Sequence, residues 1–231
     1  MTGEKAIVLV SGGLDSCVSA AYARDVFTPE NCIPINFAYG QRHARELVAS
    51  EKVSEHLFNK LPRTINLSQA FFNIGGSSLT SGVREGNPSV EQVSRTPDAL
   101  PPSFVPGRNI IMLAVAAAIG YTERAYNIIG GWNVLDYSGY PDCRPEFFTA
   151  MGAALNTGLG FGLRSNTTSI HTPLVTLTKA EIIDMGLKLG APLHFTWSCY
   201  AGGSEPCGTC DSCVIRAEGF AKAGVPDPAT R

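Results

Sequence analysis

The chain has 231 residues, of which 44% are hydrophobic and 16% charged, and its net charge is −2. This composition indicates one large globular domain, or a domain with an appendage, and argues against a broad nucleic-acid-binding face. The longest apolar run, residues 110–119, is too short to span a bilayer, and the N-terminus has no signal-peptide pattern. We therefore expect a cytoplasmic protein.

The N-terminal stretch, residues 5–16, predicts a strand, a small-residue turn and a helix. Residues 6–10 form an uninterrupted apolar run, which is typical of a strand buried on both faces. Residues 11–13, Ser-Gly-Gly, end the strand, and we expect Asp15 or Ser16 to cap the helix. Glycines allow close approach and a helix N-terminus presents N–H groups, so the turn is a candidate phosphate site. An ordinary tight turn is the alternative.

Two further strands are predicted at residues 32–37 and 63–67, separated by an amphipathic helix. The apolar positions of that helix are Ala44, Leu47, Val48, Leu57 and Phe58. Because Pro34 lacks a backbone donor, we expect the second strand near a sheet edge or at a bulge. The alternation of strands and helices predicts an α/β fold, with a parallel sheet, right-handed crossovers and helices on both faces.

Residues 73–103 are rich in Gly, Ser and Pro and show little periodicity. A segment of this kind is typical of a mobile lid or an insertion, and a simple surface loop is the alternative. Asn109 follows as an expected helix N-cap. The next residues, 110–119, are apolar on nearly all sides, so we expect their helix to be buried.

The second half of the chain predicts two more strands and two helices. The fourth strand is expected at residues 126–129 and the fifth at residues 169–175. Pro145 begins a helix at its first position, where a missing N–H has no cost. Thr178 and Glu181 have the spacing of a capping box, in which each side chain accepts from the other's backbone N–H.

Seven cysteines are present, an odd number that does not suggest a disulfide framework. Four of them are clustered near the C-terminus, at Cys199, Cys207, Cys210 and Cys213. Two overlapping Cys-x-x-Cys units and a fourth thiol across a Gly/Pro turn favour a closed structural Zn²⁺ site. An Fe–S cluster and a reactive dithiol are the alternatives. We expect one Zn²⁺ per chain to hold residues 196–231 against an α/β domain of residues 1–195.

Several other side chains are candidates for chemistry. Arg42 and Arg108 can bind phosphate or a carboxylate, with a surface ion pair as the alternative. His43 is a candidate base or proton relay, or else a solvated residue. Lys179 stands in the first turn of a predicted helix, where a cation opposes the helix dipole, so a nearby anion such as pyrophosphate explains it better. No histidine is close in sequence to Cys143, which argues against a nucleophilic thiol there.

Residues 136–144 concentrate hydrogen-bonding and aromatic side chains. Carboxylates such as Asp136 and Asp142 accept from ring N–H and amino groups, as on a guanine-like edge. Tyr137 and Tyr140 offer faces for stacking. The segment indicates recognition of a heterocycle, and a hydrogen-bonded structural loop is the alternative.

Six motifs occur in one order along the chain. They are Ser-Gly-Gly-x-Asp-Ser, Tyr-Gly-Gln-Arg-His, Val-Pro-Gly-Arg-Asn, Asp-Tyr-Ser-Gly-Tyr-Pro-Asp-Cys-Arg, Thr-Pro-Leu with Thr-Lys-Ala-Glu, and the cysteine cluster. The first is neither a Walker A loop nor a dinucleotide fingerprint. It resembles the pyrophosphate loop of the N-type ATP pyrophosphatases. Together, from Ala6 to Arg216, the motifs resemble the 7-cyano-7-deazaguanine synthase family.

The resemblance implies a carbon–nitrogen ligase that uses ATP and Mg²⁺. The carboxylate of 7-carboxy-7-deazaguanine attacks the α-phosphate of ATP, pyrophosphate leaves, and ammonia displaces AMP to give an amide. A second ATP activates the amide oxygen, and loss of AMP gives the nitrile. Free ammonia is the expected nitrogen source, because the length leaves no room for a glutaminase domain. A lid over residues 73–103 would keep water from the adenylates.

The resemblance also implies a homodimer, and we expect no stable nucleic-acid partner. One rival function is a paralogue that adenylates another carboxylate or attaches a deazaguanine to another acceptor. A rival from a different class is a zinc-stapled nucleotide-binding module without catalysis.

The resemblance assigns roles to individual residues. The expected catalytic residues are Asp15, Ser16, Arg108 and Lys179. The expected ATP-binding residues are Val10, Ser11, Gly12, Gly13, Leu14, Asp15, Ser16, Cys17, Phe37, Tyr39, Gly107 and Lys179. The expected substrate-binding residues are Gln41, Arg42, His43, Arg108, Asn109, Asp136, Tyr137, Ser138, Tyr140, Asp142 and Arg144.

Overall fold

A computed structural model describes residues 3–40, 44–77, 100, 104–135, 140–160, 167–199 and 203–230. Its strands are β1 (Ala6–Leu9), β2 (Cys32–Ala38), β3 (Arg63–Asn66), β4 (Asn127–Ile129) and β5 (Ser169–His171). Its helices are α1 (Leu14–Phe27), α2 (Ala44–Phe58), α3 (Ser68–Ile74), α4 (Arg108–Glu123), α5 (Pro145–Gly158), α6 (Lys179–Lys188) and α7 (Asp211–Ala223). In these ranges, no helix has both the length and the apolar character needed to cross a membrane.

The strands form one parallel sheet in the order β3-β2-β1-β4-β5. Alternate residues of β1 face opposite sides, so Val8 packs with the core that contains α1, α6 and α7, and Ile7 with the core of α4 and α5. Because both faces are covered, the strand needs apolar residues at every position, and a side chain such as Ile7 or Val8 contributes about 1.5–3 kcal/mol when fully buried. The predicted α/β fold with helices on both faces is confirmed.

Pro34 lies in β2, the strand beside the edge strand β3, so the expected position near a sheet edge is confirmed and no bulge is needed. The register of β2 with β1 runs without interruption from Cys32 to Ile35. The carbonyl of Ile35 accepts from Val10 of the segment after β1, so the neighbouring residue, Pro34, turns its nitrogen toward β3. Pairing with β3 begins only at Ile35. Pro34 therefore lies just before the stretch of β2 that pairs with β3, so no carbonyl of β3 is left without a donor by the missing N–H.

Two predicted N-caps were wrong, because glycine begins both helices. Gly13 is the N-cap of α1, and Ser16 instead donates a hydrogen bond back to the Gly13 carbonyl at 3.0 Å. Gly107 begins α4 in the left-handed region, with φ of +70°, and places Asn109 inside the first turn. A glycine has no side-chain oxygen to identify it as a cap, but it permits the sharp entry of the chain. The capping box of Thr178 and Glu181 and the helix start at Pro145 are confirmed.

Helix α4 is not buried all round, which corrects a further expectation. Leu113 and Ala117 face the core, whereas Ile110 is 49% exposed and Ala114 and Ala118 are exposed with it. These three form an apolar stripe at helical spacing on the outer surface. Strand β5 ends at His171 rather than at residue 175, because the chain turns away there.

Candidate active site

A crevice opens at the carboxyl ends of β1 and β4. The chain runs outward from β1 through β2 to β3 and then returns to β4 on the other side of β1, and such a reversal places a ligand crevice at that edge. A cavity of about 290 Å³ lies there. Its walls come from the loop of residues 10–16, the end of β2, the start of α2, the start of α4 and the segment after β4.

The loop after β1 is packed so closely that only glycine fits at one position within it and at one position of the neighbouring segment after β4. Gly12 has φ of +92°, and a Cβ there would collide with the backbone of α2 at Glu46. A Cβ on Gly131, after β4, would lie 2.5 Å from the carbonyl carbon of Asp15. The loop is thus wedged between α2 and the end of β4, which fixes its backbone for contact with a ligand.

The side chains of the loop are also linked to each other. Ser11 Oγ donates to Ser16 Oγ at 3.0 Å, and Ser16 Oγ in turn donates to the Gly13 carbonyl. Helix α1 has no side-chain cap, so its first-turn N–H groups are not used by a capping oxygen. An anion placed over the loop would receive these donors.

Lys179 is the first residue of α6, and its side chain faces the loop after β1. Its Nζ is 2.6 Å from Asp15 Oδ1, and the two side chains are 13% and 22% exposed. The capping box begins α6 at Lys179. Gly219 of α7 leaves the space for its side chain, since a Cβ there would collide with Lys179 Cγ. The lysine is therefore held toward the loop by two helices.

The opposite wall is built by the first turn of α4. The Arg108 guanidinium lies 6.0 Å from the centre of the Tyr39 ring. Asn109 donates from its backbone N to Asp142 Oδ2 at 3.3 Å and from Nδ2 to the Asp142 carbonyl at 3.0 Å. Asp142 Oδ1 is buried and has no hydrogen-bond partner among the described residues. Burial raises the pKa of the Cys143 thiol to about 11, which argues against a nucleophilic thiolate there.

The cavity brings together most of the residues expected at an ATP and substrate site. On its wall lie Val10, Ser11, Gly13, Leu14, Asp15, Ser16, Phe37, Tyr39, Arg108, Asn109, Tyr140 and Lys179. Not on its wall, among the described residues, are Gly12, Cys17, Gly107, Asp142 and Arg144. Outside the described residues lie Gln41, Arg42, His43, Asp136, Tyr137 and Ser138. Most of the proposed lid, residues 73–103, also lies outside them.

Three of the wall residues that the sequence did not assign to the site are large or ionisable. Glu46, in the first turn of α2, faces the cavity, and its burial raises the pKa of its carboxyl to about 7 while Arg108 opposes the shift. Trp132 packs on Phe148 with ring centres 4.8 Å apart, and Trp197 enters from the C-terminal segment. An acidic residue in a first helical turn is too common to indicate a site, and neither tryptophan belongs to a local pattern.

The four clustered cysteines converge on one point. The Sγ atoms of Cys199, Cys207, Cys210 and Cys213 all lie within 4.8 Å of one another. Backbone N–H groups of Cys207 and Cys210 donate to Cys199 Sγ and Cys207 Sγ, each at 3.3 Å. Backbone donors, first that of Thr209, lower the pKa of Cys207 to about 6. Four sulfurs held this close, with N–H groups that favour thiolates, form a site that can hold a metal ion.

A short segment joins the cysteines to the loop. The Trp197 backbone N–H donates to the Gly12 carbonyl at 2.9 Å, and its Nε1 donates to the Cys199 carbonyl at 3.0 Å. Arg216 of α7 donates to Thr196 Oγ1 at 2.8 Å and binds Asp227 through two hydrogen bonds. The C-terminal segment therefore supports the back of the candidate active site.

A larger cavity, of about 550 Å³, lies beside the cysteines. The cations on its wall already have partners: Arg45 lies 4.8 Å from the Trp197 ring centre, and Lys52 lies 5.9 Å from that of Phe195. It has no small-residue loop of the kind that cradles phosphate, so we place the candidate chemistry in the smaller cavity.

A parallel sheet with a Ser-Gly-Gly-x-Asp-Ser loop after its central strand is the architecture of the pyrophosphatase-loop class. The family model of the queuosine biosynthesis protein QueC matches residues 5–224, and the chain belongs to this family. A 7-cyano-7-deazaguanine synthase of Thermoplasma acidophilum is 44% identical, covering 99% of this chain and 92% of the relative. A 7-cyano-7-deazaguanine synthase of Oceanobacillus iheyensis is 42% identical, covering 99% and 98%.

Proposed function

We propose that this chain converts 7-carboxy-7-deazaguanine and ammonia into 7-cyano-7-deazaguanine, with cleavage of ATP to AMP and pyrophosphate. Family membership and the names of the relatives support this function. The observation that carries it is the shared cavity, where the loop of residues 11–16 and Lys179 face Arg108 and Tyr140. One side suits the phosphates of a nucleotide, and the other suits an acceptor.

The nucleotide binds with its phosphates over the loop and the first turn of α1. Backbone N–H groups there and Lys179 offset the charge that develops on the departing pyrophosphate. Asp15 holds the lysine in place at 2.6 Å and is an oxygen ligand suited to Mg²⁺. When bound, Mg²⁺ supplies further charge neutralisation on the phosphates.

The acceptor lies on the side of α4. Arg108 can bind a carboxylate in a bidentate arrangement and direct one oxygen toward the α-phosphate. Carboxylate and amide oxygens are poor leaving groups, and adenylation converts each into part of a good one. The buried Asn109–Asp142 contacts fix the backbone beside Tyr140, which offers a ring face to the heterocycle.

The cysteine cluster binds one structural Zn²⁺ in this proposal. In a tetrahedral Zn–thiolate site with Zn–S near 2.3 Å, the sulfurs lie about 3.8 Å apart, which the observed cluster can reach with small side-chain rotations. Because all four positions are taken by protein, the ion holds the C-terminal segment and leaves no coordination site for substrate.

We also propose a homodimer formed by a second copy of the chain on the apolar stripe of α4. Ile110, Ala114 and Ala118 form that stripe, and exposed apolar surface is favourable to bury against a like surface. Light scattering of the wild type should give twice the chain mass, and Ile110→Glu should give the monomer. A wild-type monomer would contradict the proposal. The cytoplasmic location and the lack of a nucleic-acid partner stay predictions.

The function is tested by incubating the protein with 7-carboxy-7-deazaguanine, ATP, Mg²⁺ and ammonium. Mass spectrometry should detect the nitrile together with AMP and pyrophosphate. AMP without nitrile would favour a paralogue that stops at, or transfers, an adenylate. If neither AMP nor nitrile forms, the proposal is overturned, and a nucleotide-binding module without catalysis is favoured instead.

A further inference from the structure

Glu46 is a carboxylate in the candidate active site that the adenylation steps do not use. Among the described residues, only Asp15 and Glu46 are carboxylates on the cavity wall. Asp15 is 2.6 Å from Lys179 Nζ and belongs to the phosphate side. Glu46 instead has Arg108 and Tyr39 as electrostatic neighbours, on the side where the acceptor is proposed to bind.

The position of Glu46 is fixed by its backbone. It lies in the first turn of α2, and its carbonyl occupies the space where a Cβ of residue 12 would be, a position that glycine leaves open. A group on a rigid helix, packed against the phosphate loop, keeps a constant distance from the reacting atoms. Such a fixed position is what a proton acceptor requires.

The surroundings of Glu46 suit proton exchange near neutrality. Burial raises the pKa of its carboxyl to about 7, and the Arg108 guanidinium on α4 opposes the shift. Among the described residues, Tyr39, just after β2, is the other titratable group in electrostatic contact with Glu46, and burial raises its pKa further from neutrality. Arg108 cannot release a proton under these conditions. Among the residues that the structure describes in this part of the cavity, Glu46 is therefore the group that can take one up and release it.

We propose that Glu46 binds ammonium and accepts one of its protons, so that ammonia is released beside the acyl adenylate. This role rests on the proposed function. The ammonia nitrogen then forms a bond to the acyl carbon, and the bond from that carbon to the phosphate oxygen breaks. AMP leaves with the electron pair. The second proton lost by nitrogen passes to the departing phosphate, and Glu46 returns its own proton to solvent.

Comparing two nucleophiles tests this role. With ammonium at pH 7, Glu46→Gln should lower kcat/KM for the nucleophile by about 10²-fold, the usual size of a general-base effect. With hydroxylamine, which is largely unprotonated at pH 7, the same variant should lose less than about threefold, measured as hydroxamate formation. Equal losses with both nucleophiles would overturn the proposal, because a structural role of Glu46 would affect both.

The pH profile gives a second readout. At fixed total ammonium, the wild-type rate should level off above about pH 7, the pKa of Glu46. The rate of Glu46→Gln should continue to rise at higher pH, because that variant depends on free ammonia from solution. Glu46→Asp keeps a carboxylate and should recover part of the ammonium-dependent rate. Identical profiles for wild type and Glu46→Gln would contradict the role.

A matched control lies on the same helix. Glu51 is exposed on α2 and absent from the cavity wall, so Glu51→Gln should leave both nucleophile dependences unchanged. Exchange of labelled pyrophosphate into ATP, with the carboxylate present and ammonia omitted, separates the two proposals. If the wild type shows no exchange, both the proposed function and the proposed role of Glu46 are disproved. If the wild type shows exchange and Glu46→Gln uses ammonium normally, only the proposed role of Glu46 is disproved.

Discussion

The backbone N–H of Trp197 donates a hydrogen bond to the carbonyl of Gly12, at 2.9 Å. The indole of the same residue donates to the carbonyl of Cys199, the first of the clustered cysteines. One side chain and one backbone group thus connect the candidate metal site to the candidate phosphate loop. A change at the cysteines should therefore reach the nucleotide, although no cysteine of the cluster needs to touch it.

Cys210→Ser should reduce zinc below one ion per chain and lower the melting temperature. ATP should also bind up to about tenfold more weakly, since one such hydrogen bond contributes about 0.5–1.5 kcal/mol. Elemental analysis, thermal unfolding and calorimetric titration measure the three effects. Cys32→Ser, in β2 and outside the cluster, should keep one zinc per chain. Iron, or no metal in wild-type protein purified without chelators, would contradict the zinc assignment.

Asp15→Asn should lower the rate of AMP release by about 10²–10³-fold, while the fold stays intact. The carboxylate holds Lys179 Nζ at 2.6 Å, and an amide would neither hold the cation as firmly nor bind Mg²⁺ as well. Circular dichroism and an AMP assay check the two halves of this prediction. Asp25→Asn, on the exposed end of α1, is the matched control and should release AMP normally. Wild-type turnover by Asp15→Asn would disprove the role of the loop.

Gly219→Ala should damage the active site from α7. The new methyl group would collide with Lys179 Cγ and lie 3.2 Å from Ile183 Cδ1, and overpacking of this kind costs about 1–3 kcal/mol. AMP formation should fall with it, because the lysine must move. Gly152→Ala, in α5, meets no atom within 4 Å and should instead stabilise the protein by about 0.5–1 kcal/mol. If both variants retain normal activity and stability, the packing of Lys179 described above is incorrect.

The half-buried carboxyl of Glu46 should make the free energy of unfolding depend on pH. Its pKa is raised from 4.5 to about 7, so the folded state holds a proton that the unfolded state loses between these values. Its contribution to stability is therefore fully present below pH 4.5 and is lost as pH rises through about 7. Glu46→Gln should unfold at higher denaturant than wild type at pH 8, by roughly 1–3 kcal/mol, and show little difference at pH 4.5. An equal difference at both pH values would contradict the shifted pKa.

The central sheet could be predicted because its cause is local. Residues 6–10 are apolar at every position, and only a strand covered on both faces needs that pattern. The starts of α1 and α4 could not be predicted in the same way. Gly13 and Gly107 act there through backbone geometry rather than through a side-chain oxygen. Helix α7 was missed, although Gly224 at its end has the left-handed conformation typical of a helix terminus.

The residues of the candidate site also fall into two groups, those that a local sequence pattern predicts and those that it does not. Asp15 and Lys179 belong to motifs whose residue types indicate an anion, so the sequence pointed to both. Glu46 and Trp197 owe their positions to contacts with Gly12, distant from each of them in the chain. Such contacts depend on how α2 and the C-terminal segment pack around the loop, and no local pattern carries that information.

The most direct test follows oxygen atoms from 7-carboxy-7-deazaguanine labelled with ¹⁸O at both carboxylate positions. In the proposed reaction, one oxygen leaves with the first AMP and the other with the second. Mass spectrometry should therefore find two AMP for each nitrile, and each AMP should carry one label. Label in inorganic phosphate or in water, with unlabelled AMP, would contradict adenylation of the carboxylate and of the amide.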